Sequence, residues 1–381
     1  MDIESIVSQT IKDNDALDGF IESLHDAMPG IERDISCLKR NPGDNETIRN
    51  LFRTVHNLKG EAARGQIELA IAISHLIEIL LTRLHSSEIA FNNSLAEAIL
   101  LAVDRLELAM EDLCNHRSLE RLRLTALLRG LETLGTASPD DIVTVAGNLI
   151  EAVTDFRPPT AQAAPLENCE TEIEFPQMEK ELKESAATYA SPKTSDDLRF
   201  FRSLADLLES RSPLFKGRTF RLLRLATETN KVKDNAVDPV QLEAAVYMHD
   251  IGMMFLPDTL WLKTGRMSPA EVMLLRKHTA YSAGLLSRMG GWEGAAEMVA
   301  QHHEMTDSKG YPEGIPWTSI CDGAKILSIV DAFESIMLKH ASHGINRSVL
   351  RAIAEVNACD NQFAPEWIGP FNQVIHRTLS Q

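Results

Sequence analysis

The sequence lacks the marks of several large protein classes. No apolar run approaches the roughly 20 residues that a membrane helix needs. The N-terminus, MDIESIVSQT, is acidic and carries no basic-then-apolar secretion signal. These two absences lead us to expect a soluble, cytoplasmic protein with no membrane contact. Positive charge is short, with 38 Lys and Arg against 55 Asp and Glu and a formal net charge of −17. Such a balance argues against binding of a nucleic acid polymer, which needs a basic face, but leaves room for a local cationic pocket. Cysteine is sparse: five residues, at 37, 114, 169, 321 and 359, form no CxxC pair and are odd in number. That usage reads as free thiols in a reducing compartment. Strand-like alternation is almost missing, no repeat relates the two halves, and no glycine-rich nucleotide-binding motif is present.

What remains is helical periodicity across a chain of 381 residues with 44% hydrophobic content, enough for two cores. From about 2 to 155, stretches such as RNLFRTVHNLKGEAAR, IELAIAISHLIEILLTRL and SLAEAILLAVDRLELAMEDL place apolar residues on one helical stripe. KRNPGDNE (39–46) and HSSEIAFNNS (85–94) are turn-rich breaks between helices. The spacing predicts an all-α protein: a four-helix bundle over 1–118, additional helices over 119–155 and an acidic, proline-containing linker over 156–195. A second mostly helical domain over 196–381 completes it. The linker includes one short helical stretch at 176–187.

In VHNLKGEAARG (55–65), Leu51, Val55, Leu58 and Ala62 form the inward stripe, so His56 falls towards solvent. Lys59 and Gly60 lie three and four residues on and share its surface patch. Glycine inside a helix costs about 1 kcal/mol relative to alanine. Here it removes a side chain beside an exposed imidazole, as close approach by another protein would require. A neutral imidazole is a competent nucleophile towards an aspartyl phosphate, and a lysine one turn away can stabilise phosphoryl charge. Most surface histidines do neither. HNLKG, however, resembles the HxLKG signature of histidine phosphotransfer (Hpt) domains, which are also helical bundles. The resemblance implies that His56 is the phospho-acceptor, supported by Lys59 and Gly60. It further implies a response-regulator receiver domain or a hybrid histidine kinase as partner. His75 and His85 read as packing or surface residues.

The second half contains MHDIG with His249 and Asp250, then His278, then His302 and His303 in HHEMTDSKGYP, then Asp331 in ILSIVDAFES. Mixed imidazoles and carboxylates suit Fe, Mn or Zn, and a carboxylate such as Asp250 can bridge two ions. Any one of these histidines would ordinarily be structural; the ordered set HD…H…HH…D is far more specific. The segment from about 196 to 376 resembles the HD-GYP family of HD phosphohydrolases. That resemblance rests on HDIG, LPDTLWLKTGRMSPAE (256–271), His278, HHEMTDSKGYP and IPWTSICDGAKILSIVDAFES. It implies metal ligation by His249, Asp250, His278, His302, His303 and Asp331, a turn at Gly310, Tyr311 and Pro312, and hydrolysis of cyclic di-GMP.

Two positions depart from the family's pattern. Where a further metal-binding histidine is usual, KGRTFRLL places Arg218, with Arg221 matching the family's arginine; where HDxGK has lysine, this chain has Met253. Arginine stays protonated and offers no lone pair, so it would repel a cation or pair with Asp250 or Asp331. A metal position on Asp250, His278, His302 and His303 is expected to persist and its companion to be lost, leaving one ion or none. Two readings follow. One is a phosphorelay protein whose divergent HD-GYP output binds a ligand or partner with weak or no hydrolysis. The other is an active, metal-dependent cyclic di-GMP phosphodiesterase tuned by the Hpt-like bundle. The chemistry favours the first.

Overall fold

A computed structural model describes residues 3–7, 14–156, 192–263, 267–338, 348–359 and 362–379. Among these residues the structure is all-α, with no strand. The short helical stretch expected at 176–187 and most of the 156–195 linker lie outside the described residues. The chain divides into two compact units, Met1–Cys169 with His343–Ala358, and Glu170–Ser342 with Cys359–Gln381.

The first unit holds α1 (Ile3–Val7), α2 (Asn14–Arg40), α3 (Asn45–Arg64), α4 (Glu68–His85), α5 (Asn93–Cys114), α6 (Leu124–Thr136) and α7 (Ile142–Thr154). The breaks read from the sequence are helix ends with stated causes. Asp44 caps α3 by accepting from the backbone N–H of Glu46 and Thr47, and Asn92 caps α5 by accepting from that of Leu95. Leu51, Val55, Leu58 and Ala62 are all buried, which turns the rest of α3 outward. Helix α3 packs between α2 and α4, while α6 and α7 pack on α4 and α5.

One further helix completes this unit, and it comes from far along the chain. Helix α16 (Val349–Ala358, after the eight helices α8 to α15 of the second unit) packs on α5 and α7. Arg351 is fully buried there: its Nε donates to Asp104 at 2.6 Å, and its Nη2 donates to Asp104 and to Glu32, each at 2.7 Å. Arg105 and Arg121 donate to the carbonyls of Ala354 and Ala358 near the helix's C-terminal end. Here the structure differs from the sequence division at 196, because a stretch of the C-terminal half is part of the bundle's core. Local periodicity shows that α16 is amphipathic but not which core takes its apolar face.

The second unit holds α8 (Pro192–Glu209), α9 (Arg218–Val232), α10 (Pro239–Met248), α11 (Asp258–Trp261), α12 (Pro269–Leu275), α13 (Lys277–Leu286), α14 (Glu293–Gln301), α15 (Asp322–Leu338) and α17 (Pro365–Leu379). Helix α10 is buried on several sides, with Ala244, Ala245, Val246, Tyr247 and Met248 all inaccessible, and packs against α8, α9 and α14. The chemically interesting residues sit at or near the ends of elements around it. Arg218 opens α9, His249 and Asp250 follow α10, and His302 and His303 follow α14. His278 lies in the first turn of α13, and Asp331 lies in mid-α15.

Candidate functional site

In the bundle, the His56 side chain is 61% exposed and its ring stacks on Phe52 at a centroid distance of 5.9 Å. Nδ1 lies 2.8 Å from Oε1 of Glu78, a buried carboxylate on α4. Lys59 Nζ donates to the other oxygen of the same carboxylate, and His75 Nδ1 stands 3.8 Å from it. A charged carboxylate only accepts, so Nδ1 carries the proton and the lone pair is left on Nε2. A Cβ built on Gly60 would meet nothing within 4 Å, so no internal packing demands a glycine there. The structure brings His56, Lys59 and His75 together around Glu78; His85 is exposed at the end of α4 and takes no part. Glu78 escaped the sequence reading. The available signal was an acid inside the otherwise apolar run ISHLIEIL.

In the second unit, His249, Asp250, His278, His302 and Asp331 are all buried, with His303 beside them. Nδ1 of His249, His278 and His302 each lies 2.8 Å from the carbonyl three residues earlier, of Val246, Leu275 and Val299. That recurring hydrogen bond fixes the Nδ1–H form and aims each Nε2 inward, as metal-binding histidines are usually held. Nε2 of His249, of His278 and of His302 is buried with no hydrogen-bond partner among the described residues. An orphaned buried acceptor is expensive unless something fills the space it faces.

Donor atoms of His278, His302 and His303 lie within 4.8 Å of one another, and Asp250 Oδ1 is 3.6 Å from His278 Nε2. This donor set fits a divalent ion. Burial holds His302 and His303 below the ordinary histidine range, His303 at about 4, so both are neutral near pH 7 and can donate a lone pair.

The other half of the cluster, His249, Asp250 and Asp331, also has donor atoms within 4.8 Å, but a cation already stands there. Arg218, only 14% exposed, donates from Nη1 to Asp250 at 2.9 Å and from Nη2 to Asp331. Burial alone would raise both carboxyls, yet His249 and Arg218 outweigh it and hold them below the usual carboxylate range. Burial would likewise depress His249, but the two carboxylates carry it up to about 9. Its Nε2 lies 3.1 Å from Asp250 Oδ2 and 3.7 Å from Asp331 Oδ1. Arg221 is taken up separately by Glu334, donating from Nε at 2.9 and 3.1 Å.

The Gly310–Tyr311–Pro312 turn packs directly on this cluster. A Cβ on Gly310 would stand 2.4–2.5 Å from backbone atoms of His303, Glu304 and Met305, so only glycine fits. Tyr311 stacks on His303 with ring centroids 4.7 Å apart, and the Tyr311–Pro312 peptide is cis. The buried Glu304 carboxylate accepts from the backbone N–H of Glu313, Gly314 and Ile315, tying the loop shut. Gly252 of the HDIG stretch is forced too, since its Cβ would lie 2.1 Å from the His278 carbonyl oxygen. Met253 is half-buried and offers no charge. Glu304 and Glu334 were missed from the sequence; each is an acid within a few residues of a candidate ligand, which is the signal that could have flagged it.

Residues 202–362 match the HD domain family profile. A cyclic di-GMP phosphodiesterase of Thermotoga maritima is 28% identical over 134 residues, covering 34% of this chain and 36% of that protein. A 3'3'-cGAMP-specific phosphodiesterase of Vibrio cholerae is 29% identical over 101 residues, covering 26% of this chain and 23% of that protein. A cyclic di-GMP phosphodiesterase response regulator of Xanthomonas campestris is 30% identical over 98 residues, covering 25% and 26% of the two chains. The chain thus spans about a quarter to a third of the length of these curated relatives. No helix among the described residues is long and apolar enough to cross a membrane. The C-terminal region of this chain carries an HD domain, with low-identity relatives that are cyclic dinucleotide phosphodiesterases.

Proposed function

We propose that this chain is a cytoplasmic phosphorelay signalling protein. Its Hpt-like bundle exchanges a phosphoryl group at His56, and its divergent HD-GYP-type domain binds a cyclic dinucleotide, cyclic di-GMP first, with weak or no hydrolysis. The observation that carries the second half is Arg218, whose guanidinium spans Asp250 and Asp331.

At the bundle, the Nε2 lone pair attacks the phosphorus of an aspartyl phosphate on a receiver domain or hybrid kinase. The N–P bond forms as the P–O bond to the aspartate breaks, and the aspartate leaves as a carboxylate. The ring keeps its Nδ1 proton, and Glu78 stabilises the positive charge that develops on the ring. Lys59, held on Glu78 beside His56, would stabilise charge on the phosphoryl oxygens. The reverse transfer uses the same groups.

At the HD domain, Asp250, His278, His302 and His303 would hold one Fe, Mn or Zn ion, which supplies Lewis-acid charge to a phosphodiester oxygen. The His249, Asp250 and Asp331 side is different. A guanidinium fixed on these carboxylates would oppose a divalent ion held by the same groups. Arg218 therefore serves as a permanent substitute cation that neutralises the two carboxylates but cannot activate water. Met253 removes a second positive charge from the ligand's approach.

The intact donor set around His278, His302 and His303 favours a second reading, an active phosphodiesterase working with a single ion. Cyclic di-GMP turnover by the purified protein in Mn or Fe separates the two. Slow or absent hydrolysis accords with the first reading, and brisk hydrolysis with the second.

A further inference from the structure

The arginines near the HD cluster have different fates. Arg218 is consumed by Asp250 and Asp331, and Arg221 by Glu334. Arg276, at the junction of α12 and α13, is exposed and has neither a carboxylate partner nor a side-chain hydrogen bond among the described residues. It is not loose, however. Its guanidinium lies 4.8 Å from the centroid of the Tyr311 ring, and Tyr311 in turn stacks on His303. A stacked series therefore runs from a metal-donor imidazole, through the tyrosine of the turn, to a positive charge facing solvent. A cation with unused donors, presented over a ring beside a metal-donor set, suits a phosphate oxygen.

Helix α13, which follows Arg276, and the Ile251–Phe255 turn after Asp250 carry an apolar surface that the core does not use. Phe255 ends the turn that begins just after Asp250 and is 61% exposed; Tyr281, one turn beyond His278, is 40% exposed. Their rings meet edge to face at 5.9 Å. Exposed aromatic rings beside a site suit the face of a nucleobase, to which they add binding without base-specific contacts.

We infer that Arg276, held on Tyr311, is the phosphodiester-binding cation of this site. It supplies the charge that Met253 cannot, and the Phe255–Tyr281 pair is the stacking surface for an adjoining base. This rests on the reading of the HD domain as a cyclic dinucleotide binder and adds to it the groups that hold the ligand.

Binding of fluorescently labelled cyclic di-GMP to the full chain tests it, with Arg276→Gln, Arg276→Lys and Phe255→Ala beside the wild type. Arg276→Gln should weaken binding roughly tenfold or more, as loss of a charge-assisted contact does, and Arg276→Lys should recover part of that loss. Phe255→Ala should weaken the dinucleotide several-fold while leaving competition by inorganic phosphate unchanged. Melting temperatures of all three should match the wild type, because neither side chain is buried. A wild type that binds no cyclic dinucleotide overturns the parent reading. A wild type that binds with Arg276→Gln its equal overturns only the role of Arg276, and an unchanged Phe255→Ala overturns the stacking surface.

Discussion

Arg218 and Asp331 stand 113 positions apart in the chain and are hydrogen-bonded in the HD site, with Asp250 as the guanidinium's second partner. One side chain is thus bonded to two of the carboxylates of the metal-type cluster. If the proposed reading of Arg218 and Met253 holds, replacing Arg218 by histidine together with Met253→Lys should raise activity. Cyclic di-GMP hydrolysis in Mn should rise at least roughly tenfold over the wild type, the scale of a 1.4 kcal/mol change in barrier. A double variant no faster than the wild type would place the defect elsewhere.

The bundle makes an independent prediction at Glu78. Exposure to a phosphorylated receiver domain should label the wild type and leave His56→Gln unlabelled. Glu78→Gln keeps the shape but loses the charge-assisted bonds to His56 and Lys59, each worth about 1.5–3 kcal/mol. Its labelling rate should fall roughly tenfold or more. Equal rates for wild type and Glu78→Gln would leave the carboxylate with a structural role only.

Arg351 is buried with Asp104 and Glu32, so its removal takes a buried cation from beside two buried acids of the first unit. Arg351→Met should destabilise that unit by about 3–5 kcal/mol in a denaturant titration. Replacing all three groups by apolar residues of similar volume should cost much less, because the two buried acids leave together with their cation. A single variant as stable as the wild type would show that the triad does not fasten α16 into the bundle.

Chelator-treated protein should show a pH signature from the HD site. Asp250 and Asp331 titrate below their ordinary range when folded. Their stabilisation is therefore full above about pH 4, their unfolded value, and is lost as pH falls below it. His249 is raised to about 9, so its contribution is full below about 6.5 and fades as pH rises through 9. His302 and His303, held below their ordinary range, lose their contribution as pH falls below about 6.5, so the site's contribution should peak near pH 6.5. Arg218→Met should flatten the part of the acid limb below about pH 4. An acid limb identical in Arg218→Met would mean that Arg218 does not set the two carboxyls.

Helix existence and most helix ends were legible from apolar periodicity and turn residues. Leu51, Val55, Leu58 and Ala62 mark a stripe with a clear period, and Asp44 and Asn92 sit where caps are wanted. The metal-type cluster was legible because HDIG and HHEMTDSKGYP concentrate unusual residue types in short stretches. Glu78, Glu304 and Glu334 were not legible, because periodicity assigns acids to the solvent side and cannot see the partner that makes burial tolerable. The membership of α16 in the bundle was hidden for the same reason. Arg351 finds Asp104 and Glu32 at separations of 247 and 319 positions, and nothing local in VLRAIAEVNA points to either.

The most direct test of the account is the metal content of the purified wild-type chain after equilibration with Mn, Fe or Zn. One divalent ion per chain at most is predicted, rising to two in Arg218→His. Two tightly held ions in the wild type, with Arg218 displaced from Asp250 and Asp331, would contradict it.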